Sequence, residues 1–405
     1  MKTDELYDIE RGRTIPMSAT TRRTFLAGAG TTFSGMAAST PTIAGQRRGD
    51  FIPAEKREMQ EMATDLMAKN DVPALSVAIA KDDRLVYAEA FGTADGKDEK
   101  LTPGHRFRIA SVSKPVTSVA AMGLIERGKL RLSDRVFGKG AVLGTDFGKS
   151  PYGLHVEAVT IEHLLTHTAG GWSNSGPDPD PMFTHPRMNH AALISWTLDN
   201  LPLHDAPGAK HAYSNFGFCV LGRVIEKITG TGYAEYVRKE VLIPCGIRAM
   251  EIAGNTLADR KPMEVVYHGQ GNENPYGMQV ARMDAHGGWI ATPSDLVRLL
   301  VRVDGFPGKR DILKPETIKV MTTGSTTNPG YAKGWIVNRQ NNWWHNGSLP
   351  GTITLMVRTS GGMCWAALTN TRKPGSRLSG DLDRLVWNMV GKVSVWPGGE
   401  LNVTS

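Results

Sequence analysis

"ALSVAIAKDDRLVYAEAFG", residues 74–92, is the stretch that decides the fold. It is rich in strand-forming apolar residues on either side of Asp82-Asp83, which predicts two strands joined at that pair. Apolar residues occupy both faces of each segment, so each strand is expected to be covered on both sides. The stretch therefore predicts the first half of a buried sheet, with a short helix just before it, around 54–69.

The second half of the sheet is predicted beyond residue 330. Four segments there have strand character: "KGWIVN", "NWWHN", "TITLMVR" and "GMCWAALTN". The last two are joined by "TSGG", a good hairpin signal. A final helix is predicted near 376–391.

Between the two groups of strands, from 111 to about 300, the pattern is mainly helical. "FGFCVLGRVIEKITG" has apolar residues at helical spacing and ends in Gly230. A second helix is predicted from Thr292, its cap, through Pro293 and Asp295 in the first turn. The predicted fold class is α/β (α+β): an antiparallel sheet built from both chain ends and flanked by helices, with an inserted, mainly helical lobe at roughly 115–285.

Bulk composition excludes several classes of protein. The 405 residues are 40% hydrophobic and 21% charged, as in a globular chain, and the net charge of +7 is spread along the sequence. No basic run interleaved with aromatic residues follows residue 50, so no nucleic-acid partner is predicted. The three cysteines sit among apolar neighbours without metal-ligand spacing, which predicts buried free thiols, with a Cys219–Cys245 disulfide as the minor alternative. No apolar run reaches the roughly 18 residues of an ordinary membrane span.

The N-terminus resembles a twin-arginine export signal. Arg22-Arg23 precedes Phe25-Leu26 and a weakly apolar stretch, and Ala44 suits cleavage. The expected divisions are a signal at 1–44, one main domain at 45–395 and a tail at 396–405. The prediction is an exported protein, periplasmic or extracellular, with the twin-arginine machinery as a partner. A basic tail without export function, a retained signal anchor and a start at Met17 stay open as alternatives.

Three motifs could carry chemistry. The first is Ser111 and Lys114, followed by Pro115, which fits the first turn of a helix. Three residues apart at a helix start, Ser111 Oγ and Lys114 Nζ can lie within hydrogen-bond reach. The helix N-terminus would favour an oxyanion there. Lys114 could act as a base near neutral pH only if burial and a nearby cation lowered its pKa by roughly two to three units. The alternative is the polar start of an ordinary helix.

The second and third motifs are ambiguous alone. In "PGAKHAYSNFGF", Tyr213 and Asn215 could face one cleft, or the segment could be a turn with Ser214 or Asn215 as a helix cap. In "WWHNGSLPGT", His345 lies on a predicted strand, and Gly347 would let a ligand or backbone come close. The alternative is a hairpin turn at Asn-Gly, the strongest short turn signal.

Together, in this order, Ser-x-x-Lys, Tyr-x-Asn and His-x-Gly resemble the serine β-lactamase and D-alanyl-D-alanine peptidase superfamily, in its class C-like branch. "VTIEHLLTHTAGG" and "GGWIATPSDLVRLL" add to a resemblance that covers roughly 55–390. It implies that Ser111 is acylated and that Lys114 and Tyr213 share base and proton-shuttle work.

The resemblance implies further roles around these residues. It places Asn215 on the substrate's amide carbonyl, with Asn346 and Gly347 also binding substrate. It makes the backbone N–H groups of Ser111 and Ser348 the oxyanion hole. His345 would orient a substrate carboxylate or assist proton transfer.

One departure from the family pattern bears on the substrate. β-Lactamases usually carry Lys-Thr-Gly in the third motif, and this chain has His345-Asn346-Gly347. The histidine is more similar to that of the superfamily's peptidases and esterases. The predicted function is an exported serine hydrolase without metal or cofactor, acting on a small-molecule or peptide substrate, with D-alanyl peptides and β-lactams as first candidates. A carboxylesterase and a non-turnover penicillin-binding sensor or cell-wall peptide-binding module are the alternatives.

Other features received weaker predictions. His163 and His167 have a zinc-compatible spacing but no third ligand, so a structural pair is favoured. Loop 176–190 could cover the cleft or be a plain insertion. Three tryptophans near the motifs could line an acyl pocket or pack in the core: Trp172, Trp343 and Trp344.

Overall fold

The computed structural model of the protein describes residues 51–174 and 176–401. The predicted signal at 1–44 and the end of the predicted tail, 402–405, lie outside the described residues. The α-helices are α1 Pro53–Asn70, α2 Ser113–Glu126, α3 Ile161–Leu165, α4 Pro181–Thr184, α5 His190–Asn200, α6 Asn215–Thr229, α7 Tyr233–Val237, α8 Pro293–Leu300, α9 Pro315–Thr322 and α10 Leu378–Lys392. The strands are β1 Ala74–Lys81, β2 Arg84–Gly92, β3 Phe107–Arg108, β4 Glu251–Ile252, β5 His268–Gly269, β6 Trp289–Ala291, β7 Ile336–Val337, β8 Trp343–Leu349, β9 Thr352–Arg358, β10 Met363–Thr369 and β11 Thr371–Arg372.

The main sheet joins the two ends of the chain, as predicted. Within the described residues it has six strands in the order β2-β1-β10-β9-β8-β7, with antiparallel neighbours. The chain crosses from the first pair to the last four strands through the helical segment, which is the inserted lobe. Asp82 and Asp83 join β1 to β2 at φ 48° and 64°, as a primed hairpin turn requires. The predicted fold class is confirmed.

Each face of the sheet has its own core. On β1, Leu75, Val77 and Ile79 face a cluster shared with α1 and α10. The alternate positions Ala78 and Ala80 face the larger cluster, which includes α2, α6 and α8. The alternation follows the two-residue period of a strand, and both faces are covered. Small alanines on the second face let α8 lie close to the sheet.

Local capping chemistry sets the helix ends. Ser214 caps α6 because its Oγ accepts the N–H of Gly217 at 2.9 Å, and Gly230 ends the helix at φ 66°. Thr292 and Asp295 form a reciprocal capping box at the start of α8. These predicted caps are confirmed.

The structure confirms the predicted strand at His345 over the alternative of an Asn-Gly turn, and it shortens one other predicted strand. Asn346 and Gly347 lie inside β8, and the hairpin to β9 turns instead at Pro350-Gly351. "KGWIVN" forms only the short strand β7. Asn-Gly turn chemistry is overridden because every residue from Trp343 to Leu349 pairs with β9.

The remaining predictions concern single residues and the tail. The three cysteines are free and buried, as predicted. No helix of the described residues is long and apolar enough to cross a membrane. In the segment predicted as a tail, Trp396 packs edge-on against Phe51, and the Leu401 N–H donates to Leu85 O at 2.8 Å.

Candidate active site

Ser111 lies in a tight turn, Ala110–Val112, directly before α2. Ala110 has φ 48°, a left-handed conformation that non-glycine residues seldom adopt. The turn is held on both sides: the Ile109 N–H donates to Trp289 O, and the Thr354 hydroxyl donates to Ile109 O, each at 2.9 Å. Neighbouring strands therefore fix the serine at the start of the helix.

Lys114 is a basic group within hydrogen-bond distance of this serine. Its Nζ lies 3.1 Å from Ser111 Oγ, 2.7 Å from Asn215 Oδ1 and 3.1 Å from the backbone oxygen of His286. A neutral amine has two N–H donors and one lone pair. Asn215 and His286 can only accept at these atoms, so they take the two N–H groups and leave the lone pair facing the Ser111 hydroxyl.

Burial prepares Lys114 for this form. The side chain is fully buried, and the loss of hydration lowers its pKa well below the usual range. The expected nearby cation is not the cause. The charge that acts on Lys114 is the Asp180 carboxylate, which raises the pKa and so opposes the effect of burial. Desolvation alone therefore favours the neutral base.

The second motif lies against the same lysine. Ser214 is the cap of α6, so Asn215 is the first helical residue and Tyr213 precedes the helix. The Asn215 side chain spans two ionisable groups: Oδ1 accepts from Lys114, and Nδ2 donates to Asp180 Oδ2 at 2.9 Å. The ring centroid of Tyr213 lies 4.6 Å from Lys114 Nζ. The structure thus brings Tyr213 and Asn215 together beside Lys114.

The third motif reaches the nucleophile through its glycine. A Cβ on Gly347 would lie 2.4 Å from Ile109 O and 3.0 Å from Ala110 Cβ, so only glycine lets β8 approach the turn that carries Ser111. The expected close approach of backbone at this glycine is confirmed. Ser348 follows directly in β8, next to the nucleophile turn, and its assignment to the oxyanion hole stays a prediction.

A chain of hydrogen bonds connects the second and third motifs. The Ser214 N–H lies 3.1 Å from His167 Nδ1, and His167 Nε2 lies 3.0 Å from the Tyr331 hydroxyl. That hydroxyl lies 3.1 Å from His345 Nε2, and His345 Nδ1 lies 2.6 Å from Asn346 O. The three side chains are buried.

Backbone groups at both ends of this chain set the direction of its protons. The Ser214 N–H can only donate, so His167 Nδ1 accepts, and Nε2 of the neutral ring carries the proton toward Tyr331. The Asn346 carbonyl can only accept, so His345 carries its proton on Nδ1, and its Nε2 accepts from Tyr331.

Both imidazoles are neutral at physiological pH. Burial holds the pKa of His167 well below its usual range. Burial lowers the pKa of His345 to about 3. With Nδ1 donating to Asn346 O and Nε2 accepting from Tyr331, His345 offers no N–H to a substrate carboxylate. Its assistance to proton transfer stays a prediction.

Sequence reasoning missed Tyr331 and Asp180. Tyr331 lies just before the short strand β7, and no local motif marks it. Asp180 belongs to loop 176–190, which therefore reaches the cleft through its contact with Asn215. Both depend on contacts between residues far apart in the sequence, and a single sequence carries no signal for them.

The remaining candidates have structural roles. His163 accepts the Thr160 N–H in the capping box of α3, while His167 belongs to the chain with Tyr331. No group of three or more metal-ligating side chains occurs among the described residues. The three tryptophans pack in or against the hydrophobic cores: Trp172, Trp343 and Trp344.

The fold and this site define a serine hydrolase of the β-lactamase fold. Residues 59–386 match the protein-family model described as Beta-lactamase, and the chain belongs to that family.

Two curated relatives are similar over much of the chain. Penicillin-binding protein 4* of Bacillus subtilis is 24% identical over 308 residues, covering 70% of this chain and 64% of that protein. A putative D-alanyl-D-alanine carboxypeptidase of Escherichia coli is 26% identical over 313 residues, covering 66% of this chain and 68% of that protein. The chain thus spans about two thirds of the length of either relative.

Solved structures share the fold. The D-amino acid amidase of Ochrobactrum anthropi matches with a TM-score of 0.68 at 19% identity, covering 84% of this chain and 98% of that one. The octameric penicillin-binding protein homologue of Pyrococcus abyssi matches with a TM-score of 0.66 at 24% identity, covering 84% and 78%.

Proposed function

We propose that this chain hydrolyses amide or ester bonds through a covalent intermediate on Ser111, with D-alanyl peptides and β-lactams as the first candidate substrates. One observation carries the proposal: a fully buried Lys114 amine whose lone pair faces Ser111 Oγ at 3.1 Å. A serine hydroxyl needs such a base to become a nucleophile.

The proposed reaction has two stages. Ser111 Oγ attacks the substrate carbonyl while its proton passes to Lys114, and the N–H groups of Ser111 and Ser348 bind the oxyanion. The bond to the amine or alcohol breaks, and that group leaves with the proton returned by Lys114, with Tyr213 as the shuttle. Water then attacks the acyl carbonyl, releases the acid and restores Ser111.

A carboxylesterase is the second candidate, and a specific observation favours it. His345 is neutral and has no N–H for a substrate carboxylate, whereas the usual lysine of β-lactamases is a cation. An ester without a carboxylate needs no such cation. A sensor that is acylated and does not turn over is the third candidate.

The deciding experiment is the intact mass of the protein after incubation with a penicillin, with drug consumption followed in parallel and Ser111→Ala as control. A lasting adduct that requires Ser111 supports a penicillin-binding peptidase or sensor. Consumption without a lasting adduct supports a lactamase. If neither occurs, a panel of short acyl esters tests the esterase. Equal turnover by Ser111→Ala would contradict the proposal.

We also propose that the protein is exported by the twin-arginine machinery to the periplasm or beyond, because Arg22-Arg23 precedes a weakly apolar stretch and a small residue, Ala44. The test is the N-terminal mass of the protein from cell fractions, for wild type and for a double Arg22→Lys, Arg23→Lys variant. We expect the wild-type protein to be found outside the cytoplasm with its signal removed. We expect the variant to stay in the cytoplasm with its signal intact. Equal export of both would contradict the signal.

A further inference from the structure

Asp180 lies one side chain away from the catalytic pair. Its Oδ2 accepts from Asn215 Nδ2 at 2.9 Å, and the other end of the same amide accepts from Lys114 at 2.7 Å. Lys114 in turn contacts Ser111. A carboxylate is thus part of the cleft wall on the side of Asn215, where the family resemblance places the acyl part of the substrate.

The position of this carboxylate is fixed by its surroundings. Asp180 Oδ1 accepts the Met182 N–H at 3.0 Å. Arg282 braces the following residues by donating to the carbonyl oxygens of Met182, His185 and Met188 at 2.7, 2.5 and 2.5 Å. Asp180 is therefore held by a braced segment of loop 176–190.

Asp180 forms no direct ion pair within the described part of the chain, since no basic nitrogen there lies within 4.0 Å of its carboxylate, and the charge of Arg282 acts on it only from farther away. Its neighbour Asp178, by contrast, pairs with His204 at 2.7 Å. Each carboxylate oxygen of Asp180 accepts one hydrogen bond and has a further lone pair. Burial raises the pKa of Asp180, so the charged form would be stabilised by a positive group in the cleft.

Two basic groups on the side of the third motif offer no free positive charge. Arg372, which donates to the Ser348 hydroxyl at 3.1 Å, forms an ion pair with Glu273. His345 carries no charge. The guanidinium of Arg282 is occupied by three carbonyl oxygens, so the Asp180 carboxylate keeps lone pairs for a positively charged ligand beside Asn215.

We propose that Asp180 forms a subsite for a protonated amine on the acyl part of the substrate, so that the preferred substrates are aminoacyl amides, esters or peptides with a free α-amino group. This inference rests on the proposed function of the same site. The ammonium group would donate to the remaining lone pairs of the Asp180 carboxylate. An N-acylated substrate has no charge there and would lose this contact.

The test compares kcat/KM for alanine p-nitroanilide with that for its N-acetyl derivative, both as D-enantiomers and both as L-enantiomers, at about pH 6.5, where an α-amino group is protonated. The ratio within one enantiomer is the readout, and p-nitrophenyl acetate serves as a neutral reference substrate. For wild type, kcat/KM is expected to be at least about tenfold higher for the free amine than for the N-acetyl derivative. One charge-assisted hydrogen bond contributes enough free energy for a difference of this size.

Three variants locate the preference. Asp180→Asn is expected to lower the ratio by about tenfold or more. Asp178→Asn, two residues away in the same loop, is the matched control and is expected to keep the wild-type ratio. Asp180→Glu, which retains the charge, is expected to recover part of the preference. A ratio near one in active wild type, or an unchanged ratio in active Asp180→Asn, would overturn the subsite.

Failure of the subsite differs from failure of the proposed function. If the subsite is wrong, the reference ester and at least one anilide still react at Ser111, without preference for the amine. If neither the ester, nor any anilide, nor a penicillin acylates Ser111, the proposed function is itself overturned. The ratio of kcat/KM values for the free and the N-acetylated substrate is measured on wild type alone. That part of the test therefore stands even if Asp180→Asn does not fold.

Discussion

The Tyr331 hydroxyl lies 3.1 Å from His345 Nε2, and it donates there because the opposite ring nitrogen donates to Asn346 O. The histidine of the third motif is therefore a neutral acceptor with a defined tautomer. His167 supports the same arrangement from the other side, since its Nε2–H points to the Tyr331 oxygen. Tyr331 positions His345, and through it the strand beside the nucleophile.

Tyr331→Phe tests this positioning role. The variant leaves the buried Nε2 of His345 without its donor, at a cost of about 1–3 kcal/mol. If the whole cost falls on the transition state, acylation of Ser111 slows by about 5–150-fold. The ¹⁵N shifts of His345 are expected to move toward a mixture of tautomers.

The matched control for Tyr331→Phe is Tyr236→Phe, which removes a phenol that hydrogen-bonds Arg127 instead. Its acylation rate and imidazole shifts should equal those of wild type. Wild-type acylation and unchanged His345 shifts in Tyr331→Phe would contradict the role given to Tyr331.

The lowered pKa of Lys114 predicts the pH dependence of acylation. The neutral amine is the active base, so kcat/KM for a neutral ester should rise with pH through the lowered pKa and level off well below the ordinary lysine value of about 10.4. Asp180 raises the pKa of Lys114, so Asp180→Asn should move this acid limb to lower pH.

The measurement is a pH–rate profile of wild type, Asp180→Asn and Asp178→Asn. The Asp178→Asn variant is the control, and its acid limb is expected at the same pH as that of wild type. The neutral His345 and His167 should add no limb above about pH 6.5, the ordinary histidine value. A wild-type limb near pH 10 would show that burial does not neutralise Lys114.

Gly347→Ala tests the contact between β8 and the nucleophile turn. The new Cβ would lie 2.4 Å from Ile109 O, a backbone atom that cannot move without shifting the turn. Acylation of Ser111 is expected to fall at least about a hundredfold, because catalytic groups misplaced by about 1 Å lose rates of that order. The free energy of unfolding should fall as well, by about 1–3 kcal/mol.

Gly391→Ala in α10 is the control for Gly347→Ala, since a Cβ there meets nothing within 4 Å. It should keep wild-type acylation and gain a few tenths to about 1 kcal/mol of stability. Near-normal acylation by Gly347→Ala would contradict the proposed fit of β8 against the turn.

An acidic pair far from the serine predicts a pH effect on stability. Asp83 lies at the β1–β2 turn, and its Oδ1 is buried without a hydrogen-bond partner among the described residues. Burial, together with Asp83, raises the pKa of Asp304 to about 7. The unfolded chain releases this proton near pH 3.9, so the pair lowers the free energy of unfolding progressively as pH rises from about 4 to 7.

Asp83→Asn should remove this penalty, because its amide can donate to the Asp304 carboxylate, and asparagine tolerates the φ of 64°. The expected gain is on the order of 1–2 kcal/mol at pH 8, a few degrees in Tm, and smaller at pH 5. Thermal unfolding at both pH values measures it. Asp82→Asn, in the same turn but with a largely exposed carboxylate paired to Lys81, is the control. Equal shifts at both pH values would contradict the assignment.

Local chemistry accounts for what the sequence predicted. The paired φ > 0 turn at Asp82-Asp83, the Ser214 cap and the box of Thr292 and Asp295 depend on residues within a few positions of one another. Apolar runs at both chain ends were enough to assign the sheet. Short-range patterns of this kind determine where elements begin and end.

Long-range contacts account for what the sequence did not predict. Asn346-Gly347 has the local chemistry of a turn, but pairing with β9 keeps it in a strand. Tyr331 and Asp180 act on residues 14 and 35 positions away, across elements whose packing no local pattern specifies. The lowered pKa of Lys114 likewise follows from burial, which the motif itself does not show.

The shared sheet also orders the events of folding. β1 pairs with β10, so Ala78 meets Ala366 only after nearly the whole chain has been made. Thr354 of β9 supports the turn before Ser111. Contacts between residues so far apart in the sequence form slowly. The chain loses conformational entropy when it closes such a long loop, and it does so before the contact contributes any stability. A nascent chain that already carries Ser111 and Lys114 therefore has no competent site, and reactivity appears only when the last strands of the protein join the first.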